Sequence, residues 1–135
     1  LDRRWQGSPV ARSIVTRGSV VLVRYPFTDL TAVKVRPAVI LTADRLIPRL
    51  DDVLCLFVSS SVPAELLPTD FVLEPAHPAF SKTGLRFRSV FRCHKLALLH
   101  KGLVLRVLGE IDNELMNDIN RRLQLALGLG DISGF

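Results

Sequence analysis

Arg92 and His94 stand two residues apart in Ser89 to Leu99, a run whose apolar residues read as a strand. Alternation along a strand puts both on one face and turns Phe91 and Cys93 to the core. An arginine can stabilise a pentavalent phosphorane through charge-assisted, bidentate hydrogen bonds. A histidine, with an ordinary pKa of about 6.5, takes or gives a proton near neutrality. These are the parts for metal-free cleavage of RNA by the neighbouring 2′-hydroxyl, a nucleophile that DNA lacks.

Other chemistries find little support. There is no glycine-rich phosphate loop, no GxGxxG and no GxSxG elbow. His77, His94, His100, Cys55 and Cys93 have no metal-ligand spacing, and the adjacent Cys93 and His94 point to opposite faces. No cofactor and no metal is expected. Two cysteines make no disulfide framework; both lie in apolar runs and read as buried free thiols in a reducing cytoplasm.

The 135 residues suit one domain and carry a net charge of +5, with fourteen arginines against four lysines. Arginine's planar fork matches phosphate, so the bias points to a polyanionic partner, most simply nucleic acid. The distribution is sharper than the total. From Pro75 to Gly109 there is no acid, while Lys82, Arg86, Arg88, Arg92, Lys95, Lys101 and Arg106 fall within it. That stretch reads as a phosphate-binding surface, with an ordinary solvated face as the alternative. Tyr25 and Phe27 add rings able to stack on bases. The longest clean apolar run, Val53 to Val58, is far short of the roughly 20 residues a membrane helix needs. No charged-then-apolar leader opens the chain.

The elements that must position these residues are mostly strands. Residues 1–16 lack periodicity and read as an N-terminal extension; 17–130 read as a single domain. Strands are expected at Gly18 to Tyr25, Val35 to Thr42, Val53 to Ser59, Thr69 to Leu73, Ser89 to Leu99 and Leu103 to Leu108. Pro37 cannot donate to a ladder, which predicts a strand start or a sheet edge there. Pro75 to Gly84 reads as loop. Ile111, Leu115, Ile119, Leu123 and Leu127 recur every four residues, predicting an amphipathic helix at about 112–127, with Asp112 as N-cap and Gly128 as stop. The fold class is therefore mainly β with a C-terminal α-helix, a twisted antiparallel sheet forming a small barrel.

In order and spacing, several segments resemble MazF/PemK-type (Kid-like) toxins. They are Gly18-Ser-Val-Val-Leu-Val-Arg-Tyr-Pro-Phe-Thr-Asp-Leu, Lys34-Val-Arg-Pro-Ala-Val-Ile-Leu, Val58-Ser59-Ser60, Leu67-Pro68-Thr69, Thr83-Gly84 and Val90-Phe91-Arg92-Cys93-His94. The resemblance spans about Arg17 to Leu129. It implies an SH3-like barrel, a homodimer and a sequence-specific endoribonuclease that cuts single-stranded RNA (mRNA) to a 2′,3′-cyclic phosphate and a 5′-hydroxyl. It also implies a cognate antitoxin with an acidic tail lying in the RNA groove, and no membrane partner.

By the same resemblance Arg36 matches the catalytic arginine before proline, and Ser59 the hydroxyl that bonds the phosphate. Arg92 matches a transition-state stabiliser or acid. His94 stands where the PemK branch has aspartate; it either replaces that carboxylate as base or marks a changed mechanism. Substrate contacts are expected from Tyr25, Phe27, Thr28, Lys34, Ser60, Lys82, Arg86, Arg88 and Lys95. The first loop lacks the histidine and Glu-Gln pair of some relatives, and Ser19 replaces an acid after glycine. Two other classes compete. A gyrase-poisoning toxin on this fold uses a C-terminal Trp-Gly-Ile, against which this chain ends Ile132-Ser133-Gly134-Phe135. A non-catalytic RNA- or peptide-binding barrel is the third.

Overall fold

The computed structural model describes residues 15–26 and 33–130. Most of the N-terminal extension, Phe27 and Thr28, and residues 132–135 lie outside the described residues. The strands are β1 (Ser19–Pro26), β2 (Val33–Ile40), β3 (Asp52–Ser59), β4 (Asp70–Leu73), β5 (Ser89–His100) and β6 (Val104–Glu110). A one-turn helix α1 (Phe80–Thr83) lies between β4 and β5, and α2 (Asn113–Leu127) follows β6. The strands form one antiparallel sheet in the order β4-β5-β3-β2-β1-β6.

The sheet carries a core on each side. Val20, Val39, Leu56, Val58, Phe91 and Cys93 pack with Leu115, Met116 and Ile119 of α2. Val21, Val23, Ala38, Ile40, Val53, Cys55 and Leu99 form a second cluster with Ile47 and Val104. β3 serves both, which is why it reads as a continuous apolar run rather than an alternating one. Cys55 and Cys93 sit fully inside. Burial pushes the two thiols up to about 12 and about 11, so neither is a ready nucleophile.

The sheet bends where β3 and β5 fall out of step. Leu56 pairs with Leu96 but Val58 pairs with Phe91, so Arg92 to Lys95 bulge opposite Phe57. The N-terminal part of β5 is free to pair on its other edge with β4 (Asp70↔Arg92 to Leu73↔Ser89). Among the described residues the sheet does not close: β4 and β6 are its edges. The expected closed barrel is therefore an open sheet among the described residues, and the α1 segment packs against β6. Gly84, at φ +73°, caps α1 in the left-handed region and lies so close to Leu108 that an added Cβ would strike its carbonyl. Gly109 likewise leaves no room for a Cβ beside the carbonyl of Lys82.

α2 follows its sequence signals at both ends. Asp112 accepts from the Leu115 N–H at 2.8 Å, and Gly128, at φ +66°, ends the helix. Asp118 accepts from Arg122 Nε at 3.1 Å, the expected i,i+4 pair. The apolar stripe is buried through Ile119, half-buried at Leu123 and exposed at Leu127, so the last turn passes beyond the core. Two arginines fasten the helix. Arg17 donates to Asn120 Oδ1 at 2.6 Å and to the Leu41 carbonyl at 2.9 Å, while Arg122 donates to the carbonyls of Pro68 and Asp70, both at 2.7 Å. Among the described residues no helix is long and apolar enough to cross a membrane.

Two expectations need correction. The Pro75 to Gly84 segment is not all loop, since α1 occupies part of it. Pro37 lies at neither a strand start nor a sheet edge: it pairs with Leu22 inside β2, an interior strand. The physical reasoning survives locally, because the β2–β3 ladder runs only from Ala38 to Ile40. In chain order, Pro37 is the last residue of β2 with β1 alone beside it.

Candidate functional site

The end of that ladder creates the site. Ala38 pairs with Phe57. One more step of the same register would place Pro37 opposite Val58, and the next Arg36 opposite Ser59. Pro37 has no N–H with which to extend the pairing. β2 and β3 therefore part, and Arg36 and Ser59 end up lining one cavity of about 530 Å³. Its further walls come from Ser60 and Ser61 after β3, from Leu85 to Phe87 and Ser89 before and within β5, and from Arg106 and Leu108 of β6.

The lining is one-signed. Lys34, Arg36, Arg86 and Arg106 all border the cavity, and no described residue lining it is acidic. Four cations around one concavity focus a positive field on whatever enters it. Ser59 Oγ accepts from the Ser61 N–H at 3.0 Å, which leaves its own O–H to donate into the cavity. Guanidinium forks beside hydroxyl donors suit the non-bridging oxygens of a phosphodiester.

Arg92 and His94 are placed elsewhere. Both do lie outside the core, as strand alternation predicts, but the cavity lining includes neither. Arg92 grips Asp70 through Nε to Oδ1 at 2.8 Å and Nη2 to Oδ2 at 3.3 Å. The Asp70 side chain is 0% exposed and that of Arg92 is 23% exposed. Burial alone would raise the Asp70 carboxyl. Hydrogen bonds from Arg92 and the Leu67 N–H, with the charges of Arg92 and His94, outweigh it and hold the group below its usual range. His94 Nδ1 lies 2.6 Å from Thr69 Oγ1. With Arg122 on the carbonyls of Pro68 and Asp70, this network joins β4, β5 and α2.

The remaining substrate candidates divide in the same way. Lys34, Ser60 and Arg86 line the cavity. Arg88 reaches Glu74 at 2.9 Å, Lys95 is exposed on the β5 bulge, and Lys82 is exposed on α1. Tyr25 packs edge-on against Phe57, with ring centroids 4.8 Å apart. The acid-free stretch is therefore not one face. Its members divide among the cavity, the Asp70 network and contacts such as Lys101 Nζ to the Ile47 carbonyl at 2.8 Å. Sequence reasoning placed Arg106 only within the basic stretch, and it passed over Phe87. Only the β1–β6 pairing, Leu22↔Arg106, brings Arg106 to the cavity. The one local signal for Phe87 was its place between two arginines.

Fold and cavity together describe a mainly β protein with a concavity bordered by four basic side chains. The family model for PemK-like, MazF-like toxins of type II toxin–antitoxin systems matches residues 16–127. The chain belongs to that family. A comparison with curated protein sequences returns no match. Among solved structures, the chain is similar to an endoribonuclease from a mycobacterial species, at 23% identity and TM-score 0.65, covering 87% of this chain and 94% of that one. It is also similar to a mycobacterial endoribonuclease in complex with its cognate antitoxin, at 21% identity and TM-score 0.67 over 87% and 98%. MazE–MazF (Form II) from Deinococcus radiodurans matches at 17% identity and TM-score 0.69 over 87% and 98%. At these identities the likeness is one of fold.

Proposed function

We propose that this chain is the toxin of a toxin–antitoxin pair and cleaves single-stranded RNA in the cytoplasm without a metal, as a homodimer opposed by an antitoxin. The observation that carries this reading is the cavity bordered by Lys34, Arg36, Arg86 and Arg106 with Ser59 beside them. The 2′-oxygen attacks phosphorus, the bond from phosphorus to the 5′-oxygen breaks, and a 2′,3′-cyclic phosphate and a 5′-hydroxyl result. The 2′-hydroxyl gives its proton to water in the open cavity, and the departing 5′-oxygen takes one from water. Arg36 and its neighbours neutralise the charge that gathers on the non-bridging oxygens, and Ser59 Oγ–H donates to one of them. The Arg92–Asp70 pair positions the strands from outside the cavity, and His94 has no step in this scheme. An acidic antitoxin segment would compete for the same four cations.

The family match and the likeness of fold to endoribonucleases support this reading. Incubating the protein with single-stranded RNA in EDTA is expected to give discrete fragments ending in cyclic phosphate. RNA left intact across diverse sequences by folded protein would sink the proposal. A non-catalytic RNA-binding barrel is the second reading, favoured by one observation: no described residue lining the cavity is histidine, aspartate or glutamate. RNA bound but uncut would select it.

A further inference from the structure

Phe87 is 67% exposed, the most exposed of the large apolar side chains among the described residues, and it lines the cavity. A bare ring of that size is costly to leave in water unless something covers it. Its backbone is held: Ser89 Oγ donates to the Phe87 carbonyl at 2.7 Å, and Gly84, three residues earlier, is wedged against β6. Its neighbours point to the class of ligand. Arg86 lines the cavity, and Arg88, on the other side, is occupied by Glu74 at 2.9 Å. Val35, 48% exposed, lines the cavity too.

We propose that Phe87 is the platform on which a nucleobase of the bound RNA stacks, the phosphate being taken by the cationic lining. The proposal rests on the RNA reading and adds a residue and a role to it. Tyr25, the other described ring expected to stack, meets Phe57 edge-on and does not line the cavity. A phosphate-only ligand would meet the cationic lining but would leave the ring wet. A base attached to that phosphate covers both, and stacking discriminates little among bases because each has a π-face.

The test uses fluorescein-labelled 2′-O-methyl hexanucleotides of A, C, G and U, which bind but cannot be cut because the 2′-oxygen is blocked. Inorganic tripolyphosphate serves as a baseless probe. Phe87→Ala is expected to weaken the best-bound hexanucleotide about tenfold and to leave tripolyphosphate binding unchanged. Phe87→Trp should keep the affinity and show indole quenching on binding. Equal hexanucleotide affinity for Phe87→Ala and wild type would overturn the proposal. So would a parallel loss of tripolyphosphate binding, or a changed sedimentation coefficient, which would put Phe87 between copies of the chain. Wild-type protein that binds tripolyphosphate but no hexanucleotide, and cuts no RNA, would overturn the ribonuclease reading as well. That result is distinct from failure of the stacking role alone, in which wild type still binds and cuts.

Discussion

Arg36 and Arg92 carry the same guanidinium into different surroundings. Arg36 follows the end of a ladder that proline cannot extend, and it borders a cavity with three other cations. Arg92 closes a two-pronged ion pair with a carboxylate buried between β4, β5 and α2. One fork lines a cavity, and the other is engaged with a buried carboxylate. A basic residue count, or a short motif such as Arg-x-His, does not separate them. What surrounds the fork decides whether it binds substrate or holds strands together.

The largest effect should come from the buried pair. Arg92→Ala takes the two-pronged partner from the buried Asp70 carboxylate and leaves it the Leu67 N–H, and denaturant unfolding is expected to show a loss of about 3 kcal/mol. Replacing both partners, Asp70→Asn with Arg92→Ala, should recover part of that loss. A loss under about 1 kcal/mol would make Arg92 an ordinary surface arginine and break the contrast. Arg36→Ala should do the opposite. Cleavage of single-stranded RNA should fall roughly 100- to 1,000-fold, the usual cost of removing a preorganised donor to developing charge. Its unfolding midpoint should stay close to that of wild type.

Acid sharpens the comparison further. The folded-state pKa of Asp70 lies below its unfolded value of about 3.9, so its contribution to stability is complete above that value. It is lost as pH falls through the folded pKa. Unfolding curves of wild type and Asp70→Asn should therefore differ above about pH 4 and converge below it. Curves that stay parallel into strong acid would contradict a charged Asp70. The smallest change is expected for His94→Ala, whose ring touches Thr69 at the surface. Stability should shift by no more than about 0.5 kcal/mol, and RNA cleavage should remain near wild type. A hundredfold loss of cleavage without unfolding would return His94 to the reaction.

Local signals carried much of the fold. The period of α2 and its caps at Asp112 and Gly128 read directly from the chain, as did β3, whose burial on both sides shows as an unbroken apolar run. Strand alternation put Arg92 and His94 outside the core. It could not supply the bulge opposite Phe57, nor the neighbour that the bulge admits, because Asp70 is 22 residues away and nothing local couples the two. Arg36 and Ser59 came through resemblance, and the missing N–H of Pro37 gives their meeting a physical cause. Arg106 was legible only as one base of a stretch, because its place at the cavity depends on β6 pairing with β1.

That last pairing has a consequence in time as well as space. A ribosome adds about 5–20 residues each second, so Lys34 and Arg36 emerge several seconds ahead of Arg106. Until β6 is made and laid against β1, the cavity lacks a wall and one of its four cations. A chain ended before β6 keeps the Arg-Pro step and both serines, yet lacks the wall that encloses them. For the cell that makes it, the finished site arrives only after β6 has been synthesised.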